Sequence, residues 1–215
     1  TDMRLKWHGH SCFSMTFEGG ATVVTDPFDR TVGYPLCRAR SDIALVSHDH
    51  FDHNHVQSLS GTPEVIRDGA PREILGLRIR GVDSFHDAEG GARRGKNVMF
   101  VVEGDGLRVA HLGDLGHPLD EKQIEALGAP DILLVPIGGT YTIATPEAVA
   151  LIRAVKPHTA IAMHFKTVLC GFAVTDEREF VRLARAKYLP NALEITRETL
   201  NELPAAGVML CPPAR

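Results

Sequence analysis

The segment His48-Asp49-His50-Phe51-Asp52-His53 places three imidazoles and two carboxylates within six residues. Neutral imidazole is a preferred nitrogen ligand of zinc, and carboxylate adds oxygen donors and negative charge. In an extended stretch positions 48 and 50 point the same way, so one ion can take both histidines. A following turn redirects Asp52 and His53 toward a second ion a few ångströms away. This spacing suits a binuclear centre better than one closed tetrahedral site. The four-position pattern H-x-H-x-D-H arises by chance in a chain of this length at roughly one in a thousand. The bland alternative is a polar loop whose histidines cap and bond their neighbours.

Elements must deliver such a cluster to one place. Ile43 to Ser47 reads as a short buried strand that feeds directly into it, and His53 to Ser58 as a short helix beyond. Upstream, Met3 to Phe17 alternates apolar and polar residues, turns at Glu18-Gly19-Gly20, and pairs as a hairpin with Ala21 to Thr25. That run stops at Asp26-Pro27, because proline forbids simple continuation. Glu73 to Phe85 holds one or two strands, and Asn97 to Glu103 and Leu107 to His111 flank the turn Gly104-Asp105-Gly106.

Further on, Asp120 to Leu127 reads as a helix, Asp131 to Ile137 as a buried strand, and Thr145 to about Val155 as a helix. Thr145 suits its N-cap and Pro146 its first helical position. Thr159 to Met163 is a buried strand ending at His164, and Asp176 to Tyr188 has an apolar face at Phe180, Leu183, Ala184 and the Lys187 stem. Val208 to Cys211 reads as a last strand. The first half is rich in hairpins and the second alternates strand with helix, with no long linker between them. Two packed sheets with helices outside satisfy that order.

Bulk composition is ordinary for a soluble globular domain: 215 residues, 44% hydrophobic and 23% charged. One domain over 1–215 is the expectation. A formal net charge of −4 supplies no bulk attraction to nucleic acid or to an anionic membrane. Cys12, Cys37, Cys170 and Cys211 form neither a disulfide framework nor a thiolate zinc knuckle. No secretory pattern opens the chain and no apolar run reaches transmembrane length, so a cytoplasmic protein is expected. Eleven histidines are the compositional anomaly.

H-x-H-x-D-H after a strand resembles the signature of the metallo-β-lactamase superfamily. Within it the chain looks most like small hydrolases related to L-ascorbate-6-phosphate lactonase. The residues that carry this likeness are Trp7-His8-Gly9-His10-Ser11, Thr25-Asp26-Pro27-Phe28, Phe85-His86, His111-Leu112-Gly113-Asp114, Pro136-Ile137-Gly138-Gly139 and His164-Phe165. The resemblance implies a four-layer αββα sandwich of mixed α/β (α+β) class. It also implies that His48, His50 and His86 hold one ion, that Asp52, His53 and His164 hold the other, and that Asp114 bridges both. Each of the three distant residues follows a strand expected from the residues alone, where loops converge on one end of a sandwich.

Several histidines stay open. His8 and His10 share a strand face; His10 is read as a group beside the metals or in contact with substrate, with a satisfied core histidine as the alternative. His111 rivals His86 as ligand or supports the ligands from behind. Lys166 is a candidate contact for an anionic substrate group, against the commoner exposed lysine. The loop Ala88 to Gly95, with Arg93, Arg94 and the following Lys96, is a candidate anion-contacting lid or a solvated basic loop. His55, His117 and His158 read as surface or loop residues.

Two divalent cations, zinc first with manganese, iron or nickel as alternatives, would generate a metal-bridged hydroxide near neutral pH. Asp52 would orient it and move its proton. The expected function is hydrolysis of a lactone or ester-like bond in a small-molecule substrate, an anionic one such as a sugar-phosphate lactone being implied by the resemblance. A nuclease or phosphodiesterase of the same fold and a non-catalytic metal-binding protein are the alternatives. A homo-oligomer is left open.

Overall fold

The computed structural model describes residues 2–214. The first five strands, Met3–Gly9 (β1), Cys12–Thr16 (β2), Thr22–Thr25 (β3), Ile43–Leu45 (β4) and Glu64–Ile66 (β5), lie side by side in chain order. Arg72–Ile74 (β6), Leu77–Phe85 (β7), Lys96–Gly104 (β8), Leu107–His111 (β9), Ile132–Pro136 (β10), Thr159–Met163 (β11) and Lys187–Leu189 (β12) enter a second sheet. The chain then returns Ala192–Ile195 (β13) to the edge of the first sheet beside β1, and slots Val208–Leu210 (β14) between β12 and β11.

Alternation sets which face is buried. Met3, Leu5 and Trp7 point into the core from β1 while Arg4 is exposed, and Leu77, Ile79 and Val82 do the same from β7. β10 and β11 are buried at every position, as strands covered on both faces must be. One apolar core fills the space between the sheets and beneath the helices. A second, smaller cluster lies on the other side of the first sheet, where Cys12, Val24 and Ala44 meet Phe28, Val32, Tyr34 and Leu59 from loops.

The three helices are Glu121–Leu127 (α1), Thr145–Val155 (α2) and Arg178–Ala184 (α3). α1 packs on β7, α2 on β10, and α3 on α2, so all three serve the second sheet. The outer layer of the first sheet consists of loops with 3-10 turns at Arg30–Val32 and Val56–Ser58. The sandwich of mixed α/β class is therefore present, with one of its helical layers reduced to turns. The short helix expected over His53 to Ser58 is the second of those turns.

Three further departures have local causes. The expected single strand Met3 to Phe17 is two, because Gly9 and His10 both adopt positive φ (106° and 52°) and turn the chain back on itself. Thr145 does not cap α2: its hydroxyl donates to the Ile137 carbonyl, and the Glu147 carboxylate accepts from the backbone N–H of Ala144. The helix expected over Asp176 to Tyr188 ends at Arg185 in a left-handed turn, and Lys187–Leu189 instead pairs in parallel with β14. An amphipathic pattern carries no information about a strand that arrives twenty residues later. No helix among the described residues is long and apolar enough to cross a membrane.

Candidate metal centre

Strand direction explains why the scattered residues meet. β9, β10 and β11 run parallel, and β7 is antiparallel to β8, which is antiparallel to β9. The carboxyl ends of β7, β9 and β11 therefore share one edge, and they deliver His86, Asp114 and His164. In the facing sheet β3 and β4 are parallel and deliver Asp26 and the His48 to His53 loop to the same end. His10, at the turn leaving β1, joins them.

Asp114 lies at the middle of the cluster. Its Oδ2 is 3.0 Å from His53 Nε2, 3.1 Å from His86 Nε2, 3.4 Å from His164 Nε2 and 3.5 Å from His48 Nε2. Donor atoms of His48, His50 and His86 lie within 4.8 Å of one another, and so do those of His10, Asp52, His53 and His164. The first grouping holds the residues expected around one ion and the second those expected around the other with His10 added, while a third, Asp26 with His48 and His53, spans the two. The structure thus brings all seven expected ligands together.

Surrounding hydrogen bonds fix which nitrogens face inward. Ser47 Oγ donates to Asp26 Oδ2 at 2.6 Å, so it accepts from His48 Nδ1 at 2.9 Å, and the His48 Nε2 lone pair is left free. Asp26 Oδ2 also accepts from His53 Nδ1 at 2.8 Å, which turns His53 Nε2 toward Asp52 and Asp114. This is the carboxylate–histidine arrangement that orients a metal ligand from behind. His10 Nε2 donates to Asp52 Oδ2 at 2.9 Å. Asn97 Oδ1 accepts from the Asp114 backbone N–H at 2.9 Å and steadies that loop.

Backbone strain concentrates here as well. His10, Asp26 and His164 all hold positive φ (52°, 39° and 52°), an uncommon conformation outside glycine. Gly138 lies against the His164 carbonyl so closely that a Cβ would collide with it.

Electrostatics sort the groups by partner. Burial and the neighbouring His53 push His48 down to about 3, and burial with His164 pushes His10 to about 4. Burial lowers His50 too. Burial opposes ionisation of Asp114 and Asp52, yet the imidazoles around them hold both carboxyls well below the usual range. His53 goes the other way: burial disfavours its charge, but Asp114, Asp52 and Asp26 together raise it well above an ordinary histidine.

A metal fits these residues on a structural ground. Among the described residues, the buried side-chain polar atoms without a hydrogen-bond partner are His10 Nδ1, His48 Nε2, His53 Nε2, His86 Nδ1, Asp114 Oδ1, His164 Nδ1 and Ser11 Oγ. All but the last belong to this cluster. Buried polar atoms left unpaired are costly, and two of them, His48 Nε2 and His53 Nε2, meet the Asp114 carboxylate together with His86 Nε2 and His164 Nε2, a donor set that fits a cation.

The other candidates are placed differently. His8 faces away from the cluster and shares a 2.8 Å hydrogen bond with Ser14 Oγ, because the Gly9-His10 turn separates it from His10. They do not share a strand face. His111 Nε2 donates to the Ser11 carbonyl and Nδ1 accepts from the Gly113 N–H, so neither nitrogen is free to ligate. Lys166, expected against substrate, donates to the carbonyls of Cys170 and Phe172 at 2.6 and 3.0 Å and ties down that loop. His10, read as a substrate contact, is buried with its Nε2 committed to Asp52, and neither it nor Lys166 lines the cavity. Asp26 and Ser47 were missed as supports. A carboxylate at a strand exit beside the ligand loop is the signal that could have found Asp26.

Above the cluster a cavity of about 340 Å³ is lined by His50, Phe51, Asp52, His86, Arg94, Asp114, Tyr141 and Phe172. That is the small end of the usual size range for ligand sites.

A family model described as the beta-lactamase superfamily domain matches residues 4–164. A metal-dependent hydrolase of Thermoplasma acidophilum is 31% identical over 193 residues, covering 77% of this chain and 84% of that protein. A solved structure from Thermotoga maritima, described as a candidate Zn-dependent hydrolase of the metallo-β-lactamase superfamily, superimposes with a TM-score of 0.81. It is 36% identical, over 97% of this chain and 98% of the other. An isothiocyanate hydrolase from Delia radicum gut bacteria matches with a TM-score of 0.67 and 13% identity, over 99% of this chain and 97% of its own. That last likeness is one of fold.

Proposed function

We propose, from the premise that this chain belongs to the metallo-β-lactamase superfamily and is one of its metal-dependent hydrolases, that it cleaves a lactone or ester-like bond in a small anionic metabolite. His48, His50 and His86 would hold one divalent cation, and Asp52, His53 and His164 a second, with Asp114 between them. The meeting of four imidazole Nε2 atoms at Asp114, those of His48 and His53 buried without a hydrogen-bond partner, carries this reading. Zinc is the first choice for such donors, and it is the metal in the description of the Thermotoga maritima protein. Manganese, iron and nickel accept the same mixed nitrogen and oxygen set.

When bound, two such ions supply a hydroxide nucleophile near neutral pH and stabilise charge on the substrate oxygen. The chain does the rest. Asp52 reaches the cavity, where it would orient the hydroxide and, after attack, pass its proton to the leaving oxygen. His10, fixed by the Trp7 indole N–H donating to its carbonyl at 3.0 Å, holds the Asp52 carboxylate in place. His10 is thus a positioning residue, acting through Asp52. Asp26 and Ser47 keep His53 and His48 in the tautomers that leave Nε2 free.

One consequence is a pH-dependent affinity. The carboxylates of Asp114, Asp52 and Asp26 favour the charged form of His53 against its burial, so protons compete with a cation for its Nε2. Apparent affinity should rise about tenfold per pH unit for each proton released, from pH 6 to pH 8. Competition titrations against a chelating dye measure that slope, and a flat profile would contradict it.

The functional reading is tested by assaying lactones, aryl esters, p-nitrophenyl phosphodiesters and short RNA with each metal in turn. Metal-dependent turnover of a lactone or ester at least about tenfold above the phosphodiesters is expected. Preference for RNA or a phosphodiester would replace this reading with a nuclease. Full metal occupancy with no turnover of any class would favour a binding protein.

A further inference from the structure

The wall of the cavity is built from aromatic rings and one cation, and the hydrolytic chemistry uses none of them. Phe51 lies 6.1 Å from Phe172, which lies 6.3 Å from Tyr141, in edge-on contacts that line one side. Phe51 is 52% exposed and Tyr141 37%, a high exposure for rings that face a cavity. Lys166 holds the Phe172 carbonyl and so keeps that ring at the wall. The Arg94 guanidinium sits 5.4 Å from the Tyr141 ring centre, within cation–π range. Arg94 also lines the adjoining cavity, whose wall carries His48, His50, Arg67 and Lys96 beside Asp49, Asp68 and Asp83.

Arg94 is neither loose nor neutralised. Its loop is organised by Asp87, whose carboxylate accepts from the backbone N–H groups of Glu89 and Gly91 at 2.8 Å, Arg93 at 3.0 Å and Arg94 at 2.7 Å. The loop is further closed by the His86 N–H donating to the Gly95 carbonyl at 3.0 Å. Its neighbour Arg93 points outward and pairs with Glu89 at 3.5 Å. Arg94 has no acidic partner among the described residues. A half-buried guanidinium, stacked on a ring and held at a cavity wall with no ion pair of its own, is a preformed receptor for a carboxylate or phosphate.

We propose that Arg94 selects the substrate: the molecule cleaved has a flat or apolar body that lies along Phe51, Phe172 and Tyr141, and it ends in an anionic group received by Arg94. This rests on the hydrolase reading for the site of cleavage. The scissile carbonyl is then placed over Asp52 and Asp114, and the anion is directed to the far wall instead of to the metal ligands. The 340 Å³ volume has room for a single ring with short substituents.

The test compares phenyl acetate with 4-acetoxybenzoate, which differ only by a carboxylate across the ring. Four metal-loaded proteins are used: wild type, R94A, R94K and R93A, with metal content and thermal unfolding recorded for each. A charge-assisted contact predicts a wild-type preference of about tenfold or more in kcat/KM for 4-acetoxybenzoate, expressed mainly in KM. R94A should bring the ratio near one, R94K should recover part of it, and R93A should behave as wild type. A preference that survives in R94A would overturn the proposal, since the cations alone would then attract the anion. So would a wild-type preference for phenyl acetate.

If neither ester is cleaved by fully loaded protein, the hydrolase reading fails for such esters and calorimetric binding of 4-hydroxybenzoate against phenol decides the subsite. Tighter binding of the anion that R94A abolishes supports it. Equal binding, or an anion preference unchanged in R94A, overturns it.

Discussion

Replacing Asp114 by asparagine should lower kcat/KM by on the order of 10³-fold or more and leave fewer than two metal ions per chain. Asparagine keeps the shape, and the backbone N–H of residue 114 keeps its bond to Asn97, so the fold should survive. What disappears is the negative charge that His48, His53, His86 and His164 share, each with its Nε2 within 3.5 Å of it. Two dications held a few ångströms apart repel strongly in a buried site, and an anion between them is the largest single compensation available. Losing a ligand therefore weakens both ions together. The readout is metal content beside steady-state kinetics: the variant should lose both. Normal occupancy with normal rate would remove Asp114 from the bridging position.

Stripping the metals should have a comparably large effect, and it should extend to stability. A ligand that binds only the folded state at a thousandfold excess over its Kd contributes about 4 kcal/mol. For a chain of this length each kcal/mol moves Tm by about 2–4 °C, so chelation should lower Tm by about 8–16 °C and abolish activity. The physical source is local. Without cations the cluster contains His48, His53 and His86 nitrogens that are buried and unpaired, beside carboxylates that must stay ionised. Restoring zinc should recover both properties, and manganese, iron and nickel should recover activity to different extents. Unchanged unfolding after complete metal removal would mean the orphaned nitrogens are satisfied in some other way.

Much of this cluster was legible in the sequence, because the residues expected as ligands obey one simple rule. His48, His86, Asp114 and His164 each follow a buried or alternating strand, and parallel strands place their exits on one edge. The HDHFDH loop adds the remaining three, at spacings that suit a metal centre. Less legible were the groups that hold the ligands still. Asp26 read as the end of a strand before proline, and only the three-dimensional structure shows its carboxylate meeting Ser47 and His53.

His8 and His10 illustrate a second limit. Two-residue spacing implies a shared face only if the strand continues, and the left-handed conformations at Gly9 and His10 end it. One histidine bonds Ser14 and the other Asp52 as a result. Lys166 shows a third. A lysine near a ligand invites an anionic partner, but loop 170–172 offers carbonyls at shorter range. The basic segment around Arg94 was visible as composition alone, and the division of labour between paired Arg93 and unpaired Arg94 depends on the Asp87 cage.

Metal content measured by elemental analysis on purified protein, beside the H50A variant, tests the central claim most directly. His50 belongs to the cluster with His48 and His86 but is only half-buried, so its removal empties a site with little damage to the core. Two ions per wild-type chain, falling to about one in H50A, is the result expected of a binuclear centre with divided ligands. Wild-type protein that emerges metal-free and takes up no zinc, manganese, iron or nickel would contradict it.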